Sequence, residues 1–150
     1  MADEAEVGTR RQAALATPVP GRGYVVGADE GVPGRDAEVK CCLASTGGSL
    51  ALYRTIVDGQ GPPPHQHTHE DETIVVLDGT VEAECGPDVF TASAGATVFM
   101  PRGLTHTFRS VGGPATMLFI VTPGHLDEFF RLKDEEVDPS EFAHLVRDFL

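Results

Sequence analysis

Two histidines, His65 and His67, follow three consecutive prolines in the stretch PPPHQHTHEDETIVVLDG, residues 62–79. Glu72 comes five residues after His67, and Gly79 closes the run. An extended backbone sends alternate side chains to one face, so both imidazoles point the same way. Two neutral imidazoles and a carboxylate converging on one point make a ligand set for a divalent transition metal. A fourth group, His106, arrives from downstream in GATVFMPRGLTH, residues 95–106. Three imidazoles and one carboxylate leave one or two positions open on an octahedral ion. Open positions admit water or substrate, the condition for Lewis-acid or redox chemistry. Taken singly, each of these histidines reads as an ordinary core or surface residue; the set carries the expectation.

The neighbouring candidates carry less. His69 lies two beyond His67 and is an alternative ligand, but the four-residue gap to Glu72 favours the His65 and His67 pair. Glu70 and Asp71 are expected to face solvent, a like-charged cluster being tolerable beside a cation. His125 and His144 fall in the C-terminal tail and read as surface residues, whereas Cys41, Cys42 and Cys85 read as small apolar packing. Phe108 shares the face of His106 by alternation and, with Met100, either lines a cavity or belongs to the ordinary core. Of Tyr53 and Arg54 one points inward to orient a substrate, and periodicity leaves open which.

The elements that must position these groups are short strands. Residues 1–17 are polar and weakly patterned, a flexible tail, and Pro18 to Asp36 is punctuated by Gly and Pro with Tyr24-Val25-Val26 as its one strand. Glu38 to Leu43 and Ser49 to Val57 read as strands joined by the turn Ser45-Thr46-Gly47-Gly48. The prolines before His65 donate no backbone hydrogen bonds and suit an irregular approach to a site better than a central strand. Glu72 to Leu77 is β-branched and apolar, and Asp78-Gly79 signals a hairpin into Thr80 to Cys85, where Val81, Ala83 and Cys85 face inward. Val89 to Thr91, Thr97 to Met100, Thr105 to Ser110 and Thr116 to Thr122 complete the strands. Turn signals every eight to twelve residues mean a sandwich or barrel. Residues 125–150 change character. Leu126, Phe129, Phe130 and Leu132, then Phe142, Leu145, Val146 and Phe149 behind Asp138-Pro139-Ser140-Glu141, predict two short helices.

The chain of 150 residues is long enough for one domain with a proper core, and its 41% hydrophobic and 23% charged content is that of a soluble globular protein. A net charge of −12 argues against nucleic acid or an anionic membrane as partner. Three cysteines, two of them adjacent, give no disulfide framework and favour a reducing cytoplasm. No apolar run is long enough to span a bilayer, and the N-terminus lacks the apolar centre of a signal peptide.

The two ligand-bearing stretches resemble the two motifs of the cupins. The first has Gly59, His65, His67, Glu72 and Gly79 at the family's spacing, and the second has Gly95, Pro101, Gly103 and His106. The family pattern usually ends in Asn four residues after the last histidine, where this chain has Ser110; that departure bears on a supporting hydrogen bond and not on the metal. The resemblance covers about Val39 to Val121 and implies an all-β cupin barrel, residues 18–124, with the C-terminal helices outside. It implies His65, His67, Glu72 and His106 as ligands of one divalent ion: iron, manganese, nickel, copper or zinc. It further implies a homodimer and a small-molecule substrate. Three functions follow as expectations. The first is a dioxygenase-type enzyme on an aromatic or enolisable molecule, with Glu72 also catalytic as proton acceptor. The second is a zinc-dependent polyketide cyclase or isomerase. The third is a non-catalytic binding module.

Overall fold

A computed structural model describes residues 23–33 and 37–124. The elements in order are β1 (Val32–Pro33), β2 (Ala37–Cys41), a one-turn helix α1 (Leu43–Thr46), β3 (Ala51–Val57), β4 (Asp71–Asp78), β5 (Thr80–Cys85), β6 (Asp88–Ser93), β7 (Thr97–Met100), β8 (His106–Ser110) and β9 (Ala115–Thr122). The expected tail over residues 1–17 and the expected helices over 125–150, with His125 and His144, lie outside the described residues. Among those described, no helix is long and apolar enough to cross a membrane.

Among the described residues nine strands make two antiparallel sheets, one ordered β1-β2-β3-β9-β4-β7 and the other β6-β5-β8. Alternation dictates the core between them. Ile74 and Val76 on β4, Val81, Ala83 and Cys85 on β5, and Met117, Phe119 and Val121 on β9 are all buried. Such two-sheet packing interdigitates the inner side chains and leaves the alternate residues of each strand on the outer faces. Phe108 and Phe119 meet across the core with ring centroids 5.9 Å apart, a tilted pair.

Three expectations about local structure are corrected. Asp78-Gly79 does not close a hairpin, because β4 pairs with β7 and β9 while β5 pairs with β6 and β8. The dipeptide instead turns the chain from one sheet to the other. Gly79 has φ +80°, and a Cβ there would meet the Pro114 carbonyl oxygen at 2.6 Å, so glycine serves the corner for conformation and for room. Tyr24 to Val26 forms no strand. The segment after it is held instead by the buried Lys40, whose ammonium donates to the carbonyls of Gly27 (3.1 Å), Ala28 (2.9 Å) and Glu30 and pairs with Glu38. The connection from β2 to β3 contains α1: the Cys42 amide donates to Ser45 Oγ at 2.9 Å, and Gly47 and Gly48, both at positive φ, stop the turn. The three cysteines are thiols, Cys85 in the core and the other two half-buried.

The proline segment runs beside β8 as an irregular partner. Gly61 donates to the Phe108 carbonyl at 3.1 Å, and His65 exchanges two backbone bonds with His106, at 3.0 and 2.7 Å. Thr107 Oγ1 donates to the Pro62 carbonyl at 2.6 Å. The missing proline donors thus cost nothing, since the segment lies at an edge and offers its carbonyls.

Candidate metal centre

Three elements converge on one buried point. The proline segment carries His65 and His67, β4 carries Glu72, and the start of β8 carries His106. The His65–His106 backbone pairing puts their rings 4.5 Å apart, with the His67 ring 4.9 and 5.1 Å from them. Glu72 is placed by its register: it stands between Met100 of β7 and Val121 of β9, both fully buried. The Gly103 amide donates to the His67 carbonyl at 2.7 Å, which ties the Pro101-Arg102-Gly103 turn to the first motif.

One ligand atom from each of His65, His67, Glu72 and His106 lies within 4.8 Å of every other. Three of these residues are buried and His65 is half-buried. The hydrogen bonds also fix two tautomers. His65 Nδ1 is 2.8 Å from the Pro63 carbonyl, and His106 Nδ1 is 2.9 Å from the Leu104 carbonyl. A carbonyl only accepts, so each Nδ1 carries a proton and each Nε2 is left as the ligand atom. His67 Nε2 and His106 Nε2 then face the same oxygen, Glu72 Oε2, at 2.8 and 3.2 Å. With its Nδ1 protonated, a neutral His106 turns the Nε2 lone pair on that carboxylate oxygen, a repulsive contact unless a cation lies between them. Glu72 Oε1 and both ring nitrogens of His67 make no hydrogen bond although buried. Buried polar atoms are normally partnered, so this concentration of orphans fits an ion, and the nitrogen and oxygen donors suit a divalent transition metal.

The electrostatics agree. Burial pushes the Glu72 carboxyl up, but the close imidazoles of His106 and His67 outweigh it and hold it below the usual range. Burial pulls the His106 imidazole down, yet its hydrogen bond to Glu72 and that carboxylate's charge leave it raised. A proton between these two groups stands where a cation is favoured, and metal binding would release it. His65 is lowered by burial and so is kept neutral, as a ligand must be.

The remaining candidates sort clearly. His69 is exposed and outside the cluster. Tyr53 is the inward member of its pair, 1% exposed, while Arg54 is half-buried on the other face. Met100 and Phe108 are buried on the site's side of their strands. Ser110 supplies a supporting bond in place of the usual Asn: its Oγ accepts from the Gly59 amide at 2.7 Å, and its own amide donates to the Gly59 carbonyl at 2.8 Å.

Glu70 and Asp71 are corrections, since neither simply faces solvent. Asp71 accepts from the Arg102 backbone amide (2.9 Å), Nε (3.1 Å) and a terminal nitrogen (2.9 Å). Those bonds hold its carboxyl down at about 2. Glu70 is only 1% exposed. The alternation of β4, carried one step back, would have found it: Glu70, Glu72, Ile74 and Val76 are all buried.

A family model described as Cupin domain matches residues 52–121. The chain carries a cupin domain. The match spans β3 to β9 and includes all four candidate ligands. Solved structures agree on the fold at low sequence identity. BH2720 from Bacillus halodurans is 16% identical with a TM-score of 0.57, covering 71% of this chain and 86% of that one. KdgF from a Halomonas species is 17% identical with a TM-score of 0.55, covering 75% and 96%. An uncharacterised conserved protein with a double-stranded β-helix domain from Klebsiella pneumoniae is 20% identical with a TM-score of 0.55, covering 69% and 93%. No curated protein matches the chain. At these identities the likeness is one of fold.

Proposed function

We propose that this cupin domain is a metal-dependent enzyme acting on an aromatic or enolisable small molecule, with oxygenase-type chemistry. The observation that carries the reading is the ligand geometry: three imidazoles and one carboxylate within 4.8 Å, two of them held with Nε2 free for an ion. An ion held by His65, His67, Glu72 and His106 would supply Lewis acidity and, if redox-active, the means of reacting with O₂. The chain's own residues do the rest. Glu72 Oε1, buried and unpartnered, is the group placed to take a proton from an enol or phenol. Met100, opposite Glu72 on the neighbouring strand, and Phe108, two residues beyond His106 on β8, are buried apolar neighbours that suit a flat hydrophobic substrate. The backbone bonds of His65 to His106 hold the two motifs at fixed separation during turnover.

Elemental analysis of the purified protein tests this first. Near one divalent transition metal per chain is expected, lost on His106→Ala. Glu72→Gln keeps the shape and removes the charge, and is expected to lower turnover more than metal content. Unchanged metal in His106→Ala would refute the centre. Full turnover in Glu72→Gln would remove Glu72 as proton acceptor. Zinc as the sole active metal would move the reading to a cyclase or isomerase. Ligand binding without turnover under any first-row metal would move it to a binding module.

A further inference from the structure

The two sheets differ in what they turn outward. On the three-stranded sheet β5 alternates cleanly and faces water with Thr80, Glu82 and Glu84, Glu82 pairing with Arg109 of β8 at 2.7 Å. On the six-stranded sheet Ile74-Val75-Val76-Leu77 of β4 and Met117-Leu118-Phe119-Ile120-Val121 of β9 are unbroken apolar runs. Continuous runs of this kind belong to strands covered on both faces. The register sets their outward residues in rows. Leu52, Ile120, Thr73 and Phe99 stand side by side across β3, β9, β4 and β7, and Arg54, Leu118, Val75 and Thr97 form the next row. These two rows hold no carboxylate, in a chain of net charge −12, and a single cation, Arg54. Phe99 is 58% exposed on β7, the last strand of the sheet, whose outer edge is unpaired among the described residues. An apolar face that ends in an open edge calls for a cover.

The point at which the chain leaves this sheet identifies the cover. β9 runs through the middle of the face and ends at Thr122, two residues past Ile120. The Gly124 amide donates to the Gly48 carbonyl at 3.1 Å, which pins the exit at the end of the sheet nearest the Leu52 row. Residues 125–150, outside those described, continue with Leu126, Phe129 and Phe130, then Phe142, Leu145, Val146 and Phe149, both sets at i, i+3, i+4 spacing. Four strands span ~14 Å and ten residues of helix run ~15 Å, so one such stripe crosses the face. The segment is acidic, with eight carboxylates against three bases, which complements Arg54. Tethered beside the face, it also meets it at a roughly millimolar effective concentration, an advantage over any second molecule.

We propose that the outer face of the six-stranded sheet is a docking surface for residues 125–150 of the same chain. The apolar stripes of that segment lie over the rows of Leu52 and Leu118 and shield Phe99 at the β7 edge. So docked, the segment braces from behind the strand whose inner side carries Glu72. The inference goes beyond the metal-centre reading and stands without it.

The test is photo-cross-linking of the full chain. Phe99→p-benzoylphenylalanine places the photoreactive ring on the face, and Val89→p-benzoylphenylalanine, exposed on β6 opposite Glu84, places it on the outer face of the other sheet. Both sites are exposed, so the fold accommodates the larger ring. Irradiation and peptide mapping should give, from position 99, an intramolecular link to residues 125–150 as the main product, and none from position 89. A product joining two chains would overturn the proposal in favour of a second copy on the face. No link from position 99 beyond that of the control would overturn it too. Leu145→Ser with Phe149→Ser strips half of the second stripe. That double variant should lose the link and melt lower by roughly 5–10 °C, the shift for two large apolar side chains returned to water. His144→Ser, off the stripe, should do neither. A double variant that melts with the wild type, or links at the wild-type yield, would refute the docking. Cross-linking reads the face and not the cavity, so none of these results bears on the metal centre.

Discussion

Gly61→Ala is the sharpest probe of how the first motif is held. Gly61 lies against β8, its amide donating to the Phe108 carbonyl at 3.1 Å. A Cβ at this position would stand 2.2 Å from that same oxygen and 3.0–3.1 Å from the Phe108 ring. Carbon and oxygen normally approach no closer than about 3.3 Å, so the segment must retreat by roughly 1 Å. The obstacle is strand backbone, paired on its other side with β5, and cannot give way cheaply. Overpacking of this kind costs about 1–3 kcal/mol, and the displaced hydrogen bond adds about 1 kcal/mol. Together they predict a loss of about 2–4 kcal/mol, read as a melting temperature lower by roughly 5–15 °C for a chain of this size. The retreat also carries His65 away from His106, so metal affinity should fall alongside stability. Chemical denaturation and a metal titration on the same sample measure both. Gly47→Asn is the control: its Cβ meets nothing within 4 Å and Asn tolerates the positive φ, so less than about 0.5 kcal/mol is expected. A Gly61→Ala protein with unchanged midpoint and unchanged metal affinity would refute the contact on which the argument depends.

Two further outcomes follow from the bonds around the site. Asp71→Asn removes a carboxylate held at about 2, below its ordinary 3.8. A group with a lowered folded value stabilises above its unfolded value and loses that contribution as pH falls through the folded one. The variant should therefore cost stability at pH 7, and the gap should narrow below 3.8 and close as pH falls past about 2. Because Arg102 is about half exposed, solvent screening keeps the cost small; a variant gap that widens in acid would contradict the assignment. Ser110→Ala leaves the Gly59 amide without its Oγ acceptor and should cost about 1–2 kcal/mol by denaturation. Ser110→Asn should recover part of that, and an Ala variant as stable as the wild type would show the bond to be idle.

The site was more legible in the sequence than the connections were. His65, His67, Glu72 and His106 announce themselves because ligand chemistry restricts residue type and spacing together, and the structure brings all four to one point. Strand positions such as Thr97–Met100 were also readable, since alternation and turn residues are local signals. Asp78-Gly79 misled for a physical reason. A corner between sheets and a hairpin ask the same thing of the glycine, a positive φ, and only the distant pairing of β4 with β9 tells them apart. Glu70 was misread because composition outweighed period: a run of three acids looks solvated, while alternation from Ile74 back through Glu72 pointed inward. Tyr53 and Arg54 needed the register of β3 against β9 to be resolved.

The position of β9 has a consequence for how the protein is made. It lies between β3 and β4, pairing Ala51 with Val121 on one side and Asp71 with Thr122 on the other. These are contacts between the beginning and the end of the domain, the kind that slow folding because a long loop must close before they form. A nascent chain that stopped before Ala115 would already contain every candidate ligand, yet Glu72 would sit on a strand not joined to β3. Its two motifs would be joined by the pairing of β4 with β7 and the short pairing of His65 with His106, without the support of β9. Synthesis therefore delivers the chemistry before the frame, and the centre gains its full support only when β9 is in place.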